Sequence, residues 1–373
     1  MNRATVTSVV LIAAILAAAA PVCAGPGGKG EVFGYDAWRQ AVAELDVDPN
    51  QVVYPFQITD EMAAWAQEKL IGYQTLMPEV QLEILQRAFF DKGEFEFRYD
   101  LVRTLTAEEA FAAHNGNCMS FTSLFIALSR SLGIPTFLVS VKRQPEVIKD
   151  EGLVVVNRHV VAGFKTPNKV HLFDFYVTNA SPHVSQSVLD DLEASAIYHT
   201  NIGGAAIREG DPEEAIRNLE IAVVLAPRWA PAWVNLGVAR ARLADSEGAF
   251  AAFQRALEVE PGNSSALVNL AKIYREQGRI EEANTAMRAA AESTRNPFTL
   301  IAMADAEMVS GRFEEAHQYL RRARWWYGRE PEVYYALSRL ASLEGDDGKA
   351  KKYAQRAVDL QLKIGKEPEE TPN

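Results

Sequence analysis

Cysteine is almost missing from this chain: of 373 residues only Cys23 and Cys118 carry thiols. Cys23 lies at the end of an apolar leader, so a chain processed there keeps one thiol and no intramolecular disulfide. In an oxidising compartment an unpaired thiol risks oxidation or wrong pairing, so one kept there is either buried and inert or reactive by selection. An excess of positive charge is missing too. Lysine and arginine number 38 against 49 acidic residues, a formal net charge of −11. Nucleic acid as a partner needs basic stripes, and anionic membrane surfaces attract basic segments; neither fits. No G-x-S-x-G nucleophile elbow and no phosphate-cradling glycine loop occurs. The histidines include no close pair of ligands on one element, so no zinc site and no cofactor is implied.

What is present begins with a leader. Arg3 supplies a positive charge, and an apolar run without charge follows from Val9 to Ala20. Pro21 breaks it, and Val22-Cys23-Ala24 offers small residues for a signal peptidase. The run is shorter than the roughly 20 residues of a membrane span, so residues 1–24 read as a secretory signal peptide cleaved near Ala24. A retained anchor and a lipid anchor on Cys23 are the alternatives; Ala20 and Val22 suit the second poorly. Export to the periplasm or outside the cell is expected, with no span left after cleavage. Gly25 to Gly30 reads as a flexible leader, and residues 365–373 as a disordered tail.

The C-terminal half repeats. Ala215, Ala249, Ala283, Ala316 and Ala350 stand at steps of 34, 34, 33 and 34. Four residues on come Leu219, Phe253, Met287, Leu320 and Ala354, and seven on Ala222, Ala256, Ala290, Ala323 and Ala357. Positions four and seven apart share a helix face, so each unit carries an apolar stripe that only its neighbours can cover. Gly210, Gly278, Gly311 and Gly345 fall where the first helix of each pair must stop. Pro227 and Pro261 close the first two units. These residues resemble the tetratricopeptide repeat over 196–364 as about five repeats, an all-α superhelix. The resemblance implies a protein or peptide partner held on the face made by the first helix of each pair. Asn201, Asn235, Asn269, Arg208, Arg240 and Arg242 lie on that face. The asparagines either clamp a bound backbone or satisfy neighbouring helix ends. Trp229, Trp233, Trp325, Trp326 and Tyr327 read as packing aromatics.

Before the repeats, helices are expected over about Tyr35 to Leu45, Asp60 to Gly72 and Pro78 to Phe90. Residues 94–100 look extended. Thr106 and Glu109 form a capping box, "HNGN" interrupts, and a helix runs from about Cys118 to Leu132 until Gly133 and Pro135 stop it. Three strand-like stretches follow: Thr136–Lys142, Val154–Phe164 and Lys169–Val177. Helices followed by antiparallel strands mean an α+β domain, here residues 25–190.

Cys118 opens a helix, where backbone amides and the helix dipole favour a thiolate. A cysteine nucleophile also needs a base and a group to orient it. If the last two strands pair about the "TPNK" connection, His159 and Asp174 lie on adjacent strands about 4.8 Å apart. Packing of the Cys118 helix against them would complete Cys–His–Asp. His171 falls on the opposite sheet face, and His114 and His183 have no matching spacing. Ser120 and Thr122 are helix-side polar groups.

The phrases "GNCMSFTSLFIALSRSLGIPTFLVSV", "NRHVVAGF" and "VHLFDFYV" resemble the transglutaminase-like domains of the papain-like cysteine fold. The resemblance spans roughly residues 95–179. It implies Cys118 as nucleophile, His159 as base and Asp174, fifteen residues later, as the orienting group. The Cys118 amide would stabilise the oxyanion, with Tyr99 or His114 as the other candidates. The chain then reads as an exported thiol-dependent amide hydrolase or acyl transferase that recruits protein through its repeats. The alternative is a catalytically silent scaffold for a periplasmic protein assembly.

Overall fold

The computed structural model describes residues 34–91, 93–100, 102–150, 153–175, 186–293 and 297–364. The leader peptide, the Gly25–Gly30 segment, His183, the end of the third expected strand and the 365–373 tail lie outside them.

The N-terminal part opens with α1 (Tyr35–Glu44), α2 (Asp60–Lys69) and α3 (Pro78–Ala88). Thr59 caps α2 through Met62 N–H, and Pro78 sits in the first turn of α3. Of the stretch expected to be extended, only β1 (Arg98–Tyr99) is a strand; Phe95 and Phe97 are buried in the core instead. After α4 (Ala107–Ala113), β2 (Asn115–Gly116) pairs parallel with β1. The expected Thr106–Glu109 capping box is formed.

α5 (Cys118–Ser131) is the central element. Met119 through Ser129 are all buried, as expected of a helix covered on every side. α2, α4 and the strands supply the cover. β3 (Thr136–Asp150), β4 (Leu153–Lys165), β5 (Val170–Phe173) and β6 (Gln186–Leu189) form an antiparallel sheet in the order β5-β4-β3-β6. β6 was not foreseen: four residues closing the sheet edge carry too little pattern. Alternation along β4 sends Val160, Ala162 and Phe164 to the α5 side and Val161 to the other. Only part of β3 and β4 belongs to this sheet. β6 pairs with Leu138–Val141 and β5 with Ala162–Lys165. Beyond a break in register between Val141 and Glu146, the two strands pair with each other and, among the described residues, with no other strand, as a two-stranded arm.

Ten helices follow as five hairpins: α6 (Asp191–Glu209) with α7 (Pro212–Leu225), α8 (Ala230–Arg242) with α9 (Ser246–Val259), and α10 (Ser264–Glu276) with α11 (Ile280–Ser293). α12 (Pro297–Val309) with α13 (Phe313–Trp326) and α14 (Pro331–Leu343) with α15 (Asp347–Ile364) complete the array. The small residues work as their spacing suggested. A Cβ on Gly203 would stand 2.6 Å from Leu219 Cγ, and one on Gly237 2.5 Å from Phe253 Cε1. Gly210, Gly278, Gly311 and Gly345 take positive φ at the turns, and Ala244 takes the same conformation in the second pair. First helices of successive pairs lie side by side, α6 with α8, α8 with α10 and α12 with α14, and make one face. Among the described residues no helix is long and apolar enough to cross a membrane.

The first repeat helix begins at Asp191 rather than near Ala196, and it belongs to both halves. Ala194, Ile197 and Tyr198 are buried in the α5 core, while Leu192, Ala196 and Ile207 join the repeat core. Polar contacts fasten it further. Trp38 Nε1 donates to Ser195 Oγ at 3.1 Å, Val53 N–H to His199 Nε2 at 3.1 Å, and Arg130 makes a bidentate pair with Asp191 at 2.9 Å.

Candidate functional site

The site is built at the start of α5. Asn117 is its N-cap: Oδ1 accepts from Ser120 N–H at 3.1 Å, and Nδ2 donates to Thr104 Oγ1 at 2.7 Å. The Asn117 amide donates to Arg103 O at 2.9 Å. Ser120 Oγ donates to Arg103 O at 3.1 Å and accepts from Leu105 N–H at 2.7 Å. The loop before α4 is thus laced to the first turn of α5, and Cys118 sits at its first position. The Cys118 amide, at the start of the helix, has no intrahelical acceptor and is available to an oxyanion.

Gly116 makes this approach possible. Its φ is +151°, and an added Cβ would fall 2.3 Å from Ser120 Cβ and 2.6 Å from Ser120 Oγ. Both neighbours are held, so Gly116→Ala is expected to cost about 1–3 kcal/mol, as overpacking does. Urea denaturation would show the loss, and an unchanged midpoint would mean that the Ser120 lacing is not rigid.

His159 and Asp174 come together. His159 Nε2 donates to Asp174 Oδ2 at 2.9 Å, with both side chains mostly buried. Since Ala162 pairs with Phe173, Asp174 stands opposite Val161, and His159 is its diagonal neighbour two residues along β4. The ring also interacts with the Cys118 thiol; with Nε2 taken by Asp174, Nδ1 is the nitrogen left for sulfur. Strict alternation would align His159 with Val161, away from α5. His159 is, however, the last paired residue before the register break, and breaks of this kind re-aim side chains beside functional sites. α5 is tied to the same strand by Thr122 Oγ1, which donates to Val160 O at 3.3 Å. Gln86 Nε2 donates to the Asp174 carbonyl at 2.7 Å.

The electrostatics favour a protonated ring. Burial opposes charge on His159, but the hydrogen bonds and charges of Asp174 and Cys118 outweigh it and push its pKa up to about 10. A carboxylate behind an imidazolium, with sulfur in front, suits a thiolate–imidazolium pair that attacks carbonyls.

Other residues singled out by sequence lie elsewhere. His114 is the left-handed C-cap of α4, stacked on Phe95 and hydrogen-bonded through Nδ1 to Phe95 O at 2.7 Å. Tyr99 rests against Phe175. His171 is beside Phe164. Ser120 and Thr122 are buried braces rather than reacting groups. Asn117 and Arg130 were visible only as flanking letters of a phrase; their hydrogen bonds give them their roles. Among the described residues no group of three or more His, Cys, Asp or Glu side chains could hold a metal ion. A cavity of about 570 Å³ lined by Tyr54, Phe56, Arg130 and Ile134 lies at the opposite end of α5 from Cys118.

On the repeats, two of the three asparagines are buried. Asn235 and Asn269 are both 0% exposed and Asn201 is half-buried. Arg240 pairs with Glu220 at 3.1 Å, Arg242 binds the Ile207 carbonyl, and Arg208 is half-buried. Arg240 and Arg242 are thus engaged within the array of helix hairpins, whereas Arg208 Nη1 is buried with no hydrogen-bond partner among the described residues. Trp325, expected to pack, is 81% exposed.

The family model described as "Transglutaminase-like superfamily" matches residues 64–175, which include Cys118, His159 and Asp174. Residues 64–175 form a transglutaminase-like domain. Tetratricopeptide-repeat models match residues 200–263, 243–307 and 331–363, so a repeat array follows it. Such repeats indicate protein–protein interaction. A heat-shock protein cognate co-chaperone of Aspergillus fumigatus is 35% identical over 91 residues, 24% of this chain and 26% of that protein. The human PEX5-related protein is 35% identical over 82 residues, 22% of this chain and 13% of its own length. The chain therefore spans about a quarter or less of these curated relatives. Among solved structures, MamA from Desulfovibrio magneticus RS-1 aligns with 46% of this chain and 97% of its own at 18% identity and a TM-score of 0.36. YrrB, described as a TPR protein with an unusual peptide-binding site, aligns with 45% of this chain and 87% of its own at 17% identity and a TM-score of 0.33.

Proposed function

We propose that the transglutaminase-like domain catalyses thiol-dependent acyl transfer from an amide, to water or to an amine, on a protein substrate or partner recruited by the repeats. The observation that carries this reading is the 2.9 Å bond from His159 Nε2 to Asp174, with the Cys118 thiol at the same ring. Cys118 sulfur attacks the carbonyl carbon, and the oxyanion meets the Cys118 amide at the helix N-terminus. The C–N bond breaks as His159 passes its proton to the departing amine, leaving a thioester on Cys118. Water or a second amine then attacks the thioester, His159 takes its proton, and the Cys118 thiolate leaves, restoring the thiolate–imidazolium pair. Asp174 keeps the ring oriented throughout. Of the two outcomes we favour peptide or isopeptide hydrolysis. The leader in residues 1–24 supports export, so the enzyme would work in the periplasm or outside the cell.

The test is capture of the thioester. A chain beginning at Gly25 has Cys118 as its sole thiol, so an activated acyl ester should add one acyl group, at Cys118, and hydroxylamine should remove it. Cys118→Ser should lose rapid acylation. If the ester labels no residue faster than it labels the unfolded chain, the domain is a scaffold that keeps only the fold of an enzyme.

A further inference from the structure

The arm formed by the outer parts of β3 and β4 has no place in the four-stranded sheet, and an isolated two-stranded hairpin is marginal in water. β4, the strand that carries half of the arm, packs against α8 and α10, the first helices of the second and third repeats. β5 pairs with β4 only from Ala162 onward, so the earlier residues of β4 have no strand partner on the edge away from β3 among the described residues. A free strand edge presents alternating N–H and C=O groups that need partners. α8 and α10 carry Asn235 and Asn269 at equivalent positions, 34 residues apart. A carboxamide offers both a donor and an acceptor. Both side chains are fully buried and both are engaged in interactions, although they stand on the face where a repeat array takes its ligands. Asn201, one repeat earlier, is only half-buried.

We propose that the arm is an intramolecular ligand of the repeat array. β4 lies along the face of α8 and α10 with Asn235 and Asn269 at its edge, and a partner offering an extended aliphatic segment binds the array by displacing it. The segment "LVVVN" of β4, residues 153–157, is the pattern such a partner would imitate. Displacement reaches the thiol site, a consequence that rests on the catalytic reading above. His159 is in the same strand, at the residue where the arm joins the sheet, so release of the arm alters the hold on the imidazole beside Cys118. The array then reports partner binding to the domain in front of it.

The arm can be shortened by replacing residues 144–157 with an Asn-Gly turn, which suits a two-residue hairpin. A fluorescent peptide of residues 146–157 should bind the shortened chain about tenfold or more tightly than the intact one, because the intact face is already occupied. Asn235→Ala with Asn269→Ala in the shortened chain should remove most of that binding. In the intact chain the same pair of substitutions should speed hydrogen exchange of the arm amides and leave those of α12 to α15 unchanged. Equal peptide affinity for the intact and shortened chains, or none for either, would overturn the proposal. Alkylation of Cys118 at pH 6.5 should differ about fivefold or more between the two forms, a typical coupling; equal rates would overturn the link to the site. If the catalytic reading alone is wrong, no acyl group is captured in either form, while the peptide competition and the exchange of the arm persist.

Discussion

At pH 6.5, replacing His159 with alanine slows alkylation of Cys118 about tenfold. An ordinary thiol, titrating near 8.5, is about 1% ionised at that pH, so an imidazolium that holds the thiolate raises the reactive fraction by up to about a hundredfold. A stabilised thiolate is a poorer nucleophile, with a Brønsted slope of about 0.4–0.5, and this takes back part of the gain. Asp174→Asn should fall between wild type and His159→Ala, because Asp174 holds the ring rather than touching sulfur. Two further readouts separate that role from general loosening. The His159 ring, followed by NMR, should titrate near 10 in the native chain and move toward the ordinary 6.5 in Asp174→Asn. Stability carries the same sign. Native His159 binds its proton more tightly than the unfolded chain does, so this contribution is complete below pH 6.5 and is lost as pH rises through about 10. The urea midpoints of wild type and Asp174→Asn should therefore differ most near pH 6 and converge near pH 10. An alkylation rate unchanged by His159→Ala would mean that thiol and ring do not act as a pair.

Asp191→Ala should be the most damaging substitution outside the thiol site, at about 3–5 kcal/mol, the usual cost of breaking one side of a buried ion pair. Asp191 Oδ1 and Oδ2 each accept from Arg130 at 2.9 Å, and Tyr54 O–H donates to Oδ2 at 3.1 Å. Arg130 is held besides by Thr136 O at 3.0 Å and lies 4.8 Å over the Phe56 ring. Losing the carboxylate leaves a guanidinium with little access to water at the seam between the α5 core and α6. Burial raises the pKa of Asp191, with Arg130 and Tyr54 opposing the rise. Arg130→Met should raise it further, so that the variant's folded state holds a proton which the unfolded chain releases. Its deficit against wild type should accordingly be smaller at pH 5 than at pH 8. Arg130→Met with Asp191→Leu removes both charges, and it should recover much of the lost stability. A double variant as unstable as either single one would show that packing, not charge, sets the cost. Because α6 belongs to both cores, the single variants should also uncouple the melting of the domain from that of the array.

Much of this protein is legible in its letters because the relevant interactions are local or periodic. The thirty-four-residue step, the small residues at close approaches and the glycines of the turns follow from helix geometry, and all five hairpins are formed as read. The Thr106–Glu109 box and the start of α5 at Cys118 are also short-range facts. The "TPNK" connection suggested that the strands carrying His159 and Asp174 pair; β4 and β5 do, and the two side chains meet at 2.9 Å.

What the letters withheld depends on contacts between distant residues. His159 stands beside a register break, which no alternation pattern marks. Arg130 and Asp191 are 61 positions apart and Trp38 and Ser195 are 157 apart, so no window along the chain could pair them. Asn235 and Asn269 show the difference most plainly. Their spacing placed them on the face of the first helices, but both are buried, and β4 packs against the same two helices. Periodicity reports which face a residue occupies; whether that face is open depends on where the rest of the chain comes to lie.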